Sequence, residues 1–104
     1  MPRFLFAYHG GKAPDSPEEG EKIMAAWGAW FGQIGAALKD PGAPVGPSQT
    51  VSAKGVSGNS GTNPVSGHTL VEADDMAAAL QIARGCPMVV SGSGSVEVAE
   101  IVEM

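Results

Sequence analysis

His9 is the residue in this chain whose type and place best suit acid–base chemistry. It ends the aromatic run Phe4-Leu5-Phe6-Ala7-Tyr8 and precedes Gly10-Gly11, where bare backbone leaves room for a ligand. Imidazole titrates near neutrality, so His9 fits a general base. The plainer reading is a strand-end histidine hydrogen-bonded to a neighbour, because histidine is often partly buried. Asp40, before Pro41-Gly42, suits a carboxylate that orients a substrate or a histidine, and it equally suits a turn. Trp27 and Trp30 offer flat surface to an organic ligand, but aromatic residues at helical spacing usually form core.

The remaining candidates have simpler readings. His68 follows a flexible, polar stretch and reads as a surface or interface residue. Asp74 and Asp75 precede an alanine-rich run, which makes them helix caps before anything catalytic. Cys86, between Gly85 and Pro87, has only Arg84 as a nearby cation, too little support for a catalytic thiolate. Gly92-Ser93-Gly94-Ser95 resembles a phosphate cradle without the following helix or lysine, so a tight turn is the better reading. Two distant histidines and one cysteine give no metal-ligand spacing, and no cofactor motif is present. No metal or cofactor is therefore expected.

Composition narrows the function classes further. The net charge is −5 with only six Lys and Arg, scattered, which argues against a nucleic-acid surface. A single cysteine excludes an intrachain disulfide framework and fits a reducing compartment. No apolar run approaches the roughly 20 residues that span a bilayer, and the opening MPRFLFAY is too short for a signal peptide. The expectation is one cytoplasmic domain over residues 1–104, with no membrane and no nucleic-acid partner.

The elements that must position these residues centre on 16–38. Ser16-Pro17-Glu18-Glu19 reads as a capping box in which Glu19 reaches back to the N–H of Ser16. Ile23, Trp27, Trp30, Phe31, Ile34 and Leu38 then recur at spacings of three and four along one face. Gly28, Gly32 and Gly35 inside this helix suggest close approach by a strand or loop. Residues 3–9 read as the first strand, with Phe4, Phe6 and Tyr8 on one face and Leu5, Ala7 and His9 on the other. Residues 39–44 end the helix. A thin edge strand is expected at 48–56, a loop at 57–67 and a third strand at 68–73, the two strands forming a long hairpin. A second helix from Met76, with Met76, Leu80 and Ala83 on one face, stops at Gly85 and Pro87. Residues 89–95 turn the chain into a last strand from Val96 to Glu103. The order is βαββαβ, an α+β, ferredoxin-like pattern with a four-stranded antiparallel sheet and two helices on one face.

Several pieces in that order resemble the YCII-related domain family. They are the aromatic strand ending in Gly10-Gly11, Ala26-Trp27-Gly28-Ala29-Trp30-Phe31, Asp40-Pro41-Gly42, Gly67 to Asp74, Gly85-Cys86-Pro87 and Gly94-Ser95-Val96-Glu97-Val98. The resemblance covers nearly the whole chain. It implies a dimeric α+β barrel in which two sheets pair through their open faces. It implies little biochemistry: a few relatives act on chlorinated aromatic breakdown products, and similar domains occur beside sigma-factor-like regulators. Some members carry a proposed histidine–aspartate pair. Here Trp27 stands at the histidine's place and Asp40 is the nearest match to the aspartate. A DGPF tetrapeptide found in another branch is missing.

Two function classes follow. One is a small dimeric binding or accessory domain without catalysis. The other is a cofactor-independent lyase or isomerase acting on a small aromatic or lactone-like compound. In the second, catalytic candidates His9 and Asp40 would share a ligand cleft with Tyr8 and Trp27. In either class a homodimer through the bare sheet face is expected, because strands one, three and four set apolar residues on both faces. The competing possibility is that residues 41–47 and 55–67 fold over that face and seal a monomer.

Overall fold

The structure, a computed structural model, describes residues 1–11, 13–58 and 63–103. The chain forms β1 (Arg3–Gly10), α1 (Pro17–Ile34), β2 (Leu38–Pro44), β3 (Thr50–Ser52), β4 (Gly55–Ser57), β5 (Val65–Glu72), α2 (Met76–Ala83), α3 (Pro87–Ser91) and β6 (Gly94–Glu100). Strands β2, β5, β1 and β6 lie side by side in that order, all antiparallel, in one sheet. This is the α+β, ferredoxin-like arrangement that the element order implies. No described helix is long and apolar enough to cross a membrane.

The core lies between the sheet and the helices. Phe4, Phe6 and Tyr8 of β1 and Thr69 and Val71 of β5 are buried there, with Val96, Val98 and Leu38 packed at the sides. Trp30 of α1 stacks on Phe6, with ring centroids 6.3 Å apart, and donates its indole N–H to the Ile82 carbonyl of α2 at 3.1 Å. That bond fixes the two helices to each other. Alternation then leaves Leu5, Ala7, His9, His68, Leu70, Glu97 and Ala99 on the opposite, helix-free face.

Local chemistry sets the helix ends. Ser16 accepts from the Glu19 N–H at 3.1 Å and Pro17 occupies the first turn. Glu19 reaches back one residue further than the capping box requires, accepting from the N–H of Asp15 at 3.3 Å. Asp75, not Asp74, caps α2, accepting from Ala78 at 2.8 Å.

Several expectations are corrected. The first helix does not run to Leu38: Gly35, at φ 63°, ends it, and a 3-10 turn over Gly35–Ala37 leads into β2. Residues 39–44, expected to be a connection, thus belong to the sheet's edge strand. Pro41 and Pro44 are tolerated there because β2 hydrogen-bonds on one side only, and two register shifts absorb them. With that edge taken, the strand expected at 48–56 becomes the separate hairpin β3–β4. In α2, Ala79 and Ala83 face the core while Met76 and Leu80 are exposed, since only alanine allows this helix to lie so close. Residues 87–91 form the short α3, and β6 ends at Glu100 instead of Glu103. Among the described residues, Gly28, Gly32 and Gly35 receive no strand or loop: none comes within 4 Å of where their Cβ atoms would be. The central part of the loop expected at 57–67, residues 59–62, lies outside the described residues.

Candidate functional site

His9 stands at a bulge. The register between β1 and β5 shifts between Tyr8 and His9, and such a shift re-aims the side chain that follows it. On β6, Glu97 pairs with Ala7 and so lies diagonally across from His9 on the same open face. The two side chains meet: His9 Nε2 lies 3.0 Å from Glu97 Oε1. On the other side of the ring, Nδ1 lies 3.0 Å from the Asn63 carbonyl oxygen. The ring is thus held between a side-chain carboxylate and a backbone carbonyl, and its tautomer decides which nitrogen donates. Beside this ring an open cleft of about 300 Å³ runs between Gly10-Gly11, residues 45–48 and residues 63–66.

Tyr8, one residue earlier, belongs to the other side of the sheet. Its hydroxyl donates to Thr69 Oγ1 at 2.6 Å, and Thr69 in turn donates to the Pro41 carbonyl at 2.9 Å. Burial pushes the phenol well above its ordinary value, and the Thr69 bond offsets only part of that. Trp27 meets the Tyr8 ring edge-on, with centroids 5.1 Å apart. These two residues are brought together, as part of one aromatic cluster with Trp30 and Phe31.

Asp40 is not brought to His9. It lies opposite Leu70 across β5, whereas His9 lies opposite Val65 on that strand's other side. Five residues of strand, about 16 Å, separate those positions. The Asp40 carboxylate accepts from the Gly42 N–H at 2.8 Å, the turn-forming use. His68 sits between Ala7 and Ala43 on the open face, partly buried. Cys86 is fully buried and burial raises its thiol above the ordinary value, which suits a packed side chain. Among the described residues, no three His, Cys, Asp or Glu side chains gather as a metal site would need.

No family model matches the chain, and no curated protein matches it. Among solved structures it is similar to 5-chloro-2-hydroxyhydroquinone dehydrochlorinase (TftG) from Burkholderia phenoliruptrix AC1100, in complex with 2,5-dihydroxybenzoquinone. The alignment covers 96% of this chain and 95% of that one, with a TM-score of 0.57 and 17% identity. The likeness is one of fold.

Glu97 and Asn63 are the partners that reading the sequence missed. Strand alternation places Glu97 opposite Val96 and Val98 in facing, but nothing local says that β6 lies beside β1 in the register that carries it to His9. Asn63 contributes only a backbone oxygen, which leaves no mark in a sequence.

Proposed function

We propose that this chain is a small homodimeric binding domain of the YCII-related type, joined through the open sheet faces and without catalysis of its own. The observation that carries the non-catalytic part is the engagement of His9. A general base must reach its substrate, and both ring nitrogens of His9 already lie against protein oxygens at 3.0 Å, the Asn63 carbonyl and Glu97 Oε1. Asp40, the other candidate, is used by its own turn.

The dimer is supported by the open face. Leu5 pairs with Leu70 on one side and Ala99 on the other, giving an apolar band with Ala7 beside it. Arg3, Glu72 and Lys39 frame one end as ion pairs, and His9 with Glu97 frames the other. An apolar centre with a polar rim is the anatomy of an interface. Residues 41–44, one part of the covering a sealed monomer would need, belong instead to the edge strand β2, and residues 59–62 of the other part lie outside the described residues. Sedimentation at micromolar concentration tests the dimer: a species of twice 10.5 kDa is expected, and a clean monomer overturns it.

A second reading is favoured by the fold comparison: a cofactor-independent lyase or isomerase on a small aromatic compound. The two separate in one titration with 2,5-dihydroxybenzoquinone, the compound bound in the similar structure, and one chloride-release assay with the chlorinated hydroquinone. Turnover that His9→Ala abolishes, with unchanged melting temperature, would replace the binding reading. Ligand-induced thermal stabilisation without turnover supports it.

A further inference from the structure

The four-stranded sheet has two edges, and they are built differently. Edge strand β2 contains Pro41 and Pro44, and its register shifts twice against β5, devices that stop a further strand from pairing. Edge strand β6 contains no proline and keeps one register against β1 from Gly94 to Glu100. Two bonds at its ends fix the phase of that ladder. The Gly11 N–H donates to the Ser93 carbonyl at 2.9 Å, and the Ile101 N–H donates to the Arg3 carbonyl at 2.8 Å. Bonded residues alternate in an antiparallel ladder, so Ser95, Glu97 and Ala99 turn their N–H and C=O groups to β1, and Val96, Val98 and Glu100 turn theirs outward. Among the described residues, no strand pairs with that outward edge. We propose that β6 is completed by the β6 of a second copy of this chain, antiparallel and centred on Val98.

Unpaired backbone groups at strand spacing fit an extended chain. A second copy is favoured because this edge is complementary to itself. A two-fold axis at Val98 sets the two Val98 residues opposite each other and places Val96 of each copy opposite Glu100 of the other. All of these are outward-bonding positions, so each opposed pair exchanges two bonds, about six in all. Glu97 of each copy then falls opposite Ala99 of the other. No carboxylate stands directly opposite another, whereas an axis one residue earlier would set the two Glu97 side chains against each other. Packing points the same way. Val96 and Val98 face the core yet stay only partly buried, which leaves a flank that an added strand covers. This contact uses the strand edge instead of the open face, so it goes beyond the homodimer reading above and does not depend on it.

The test is residue-resolved amide exchange on the full chain, dilute and concentrated, with sedimentation of the same samples. In the dilute protomer Val96, Val98 and Glu100 should exchange fast, and Glu97 and Ala99 slowly. In the concentrated protein all five should be slow. A mixture of labelled and unlabelled protein should show a contact between the Glu97 Hα of one copy and the Ala99 Hα of the other, which reports the register. Glu100→Pro removes an outward N–H that makes no bond to β1, at an exposed position. It should raise the dissociation constant of the edge contact by about tenfold or more, and unchanged circular dichroism checks the fold. Should the proline disturb the protomer, the exchange pattern of the wild-type protein still decides. Fast exchange at Val96, Val98 and Glu100 in a wild-type dimer would overturn the edge pairing and spare the open-face dimer. Slow exchange there in a species no larger than a dimer would support the edge and replace the open face. Protection that appears only when an extended peptide of alternating lysine and valine is added would give the edge to a foreign strand and overturn the second copy. A protein that stays monomeric throughout would overturn both contacts.

Discussion

Tyr8 and His9 are consecutive residues that serve opposite faces of one sheet. The Tyr8 ring packs edge-on against Trp27 beneath α1, and the His9 ring lies on the helix-free face between Glu97 and Asn63. Strand alternation makes this unavoidable, and it divides the four candidate ligand residues among three places. A ligand that meets His9 meets the open face and its cleft; one that meets Trp27 has to enter the aromatic core.

Tyr8→Phe should cost about 0.5–1.5 kcal/mol, the usual net worth of one hydrogen bond, by removing the donor to Thr69. It should also change the alkaline limb of the stability curve. Burial raises the folded phenol above its unfolded value of about 10. Its contribution is complete below that unfolded value and is lost as pH rises towards the folded one, because the unfolded chain ionises first. Urea titrations between neutral and alkaline pH should show the wild-type protein losing stability above about pH 10 and the phenylalanine variant losing less. Parallel curves would show that Tyr8 is not the group responsible.

Trp30→Ala should be among the most damaging single changes. Trp30 is 4% exposed, stacks on Phe6 and bonds to Ile82. Truncating a buried tryptophan costs about 3–5 kcal/mol, a large share of a small domain's stability. Trp27 is only partly buried, so Trp27→Ala should cost less. Chemical denaturation of the two variants side by side checks the order.

These core residues were legible because local signals and packing agree at them. Ser16-Pro17 starts α1 where the cap predicts, and the Trp27, Trp30, Phe31, Ile34 face is the one that packs inward. Agreement fails where partners are distant in sequence. Lys39-Asp40-Pro41-Gly42 has turn chemistry, and only pairing with β5, some thirty residues on, makes it a strand. Helix α2, MAAALQIA, is apolar nearly all round, so periodicity could not choose between the Met76–Leu80 face and the Ala79–Ala83 face. The His9–Glu97 pair spans 88 positions and depends on register, which no stretch of sequence carries by itself.

Gly42→Ala should break the edge of the sheet. Gly42 has φ 68°, and a Cβ there would run into the His68 carbonyl. The left-handed backbone alone costs an alanine about 1–2 kcal/mol, and the collision forces β2 away from β5 as well. Asp40 then loses its turn partner and Thr69 its bond to Pro41. Faster amide exchange in β2 and the Pro41–Thr69 region, with the β1–β6 pair unaffected, is the expected pattern.

Gly28 and Gly32 should respond in the opposite direction. Both lie inside α1, where glycine costs about 1 kcal/mol relative to alanine through backbone entropy. Close approach by a neighbouring element would justify that cost. Among the described residues no such element lies at either position, because none of their atoms comes within 4 Å of where a Cβ would be, and both residues are exposed. Gly28→Ala and Gly32→Ala should therefore each stabilise the protomer by about 1 kcal/mol. For a chain of this size, that corresponds to a rise in melting temperature of about 4–8 °C. Their effect on assembly is a separate readout. If the dimer forms through the open sheet face, on the side away from α1, both variants should keep the wild-type dissociation constant. A methyl group that raises stability and also weakens the dimer would place α1 in the interface, contrary to the sheet-to-sheet arrangement proposed above.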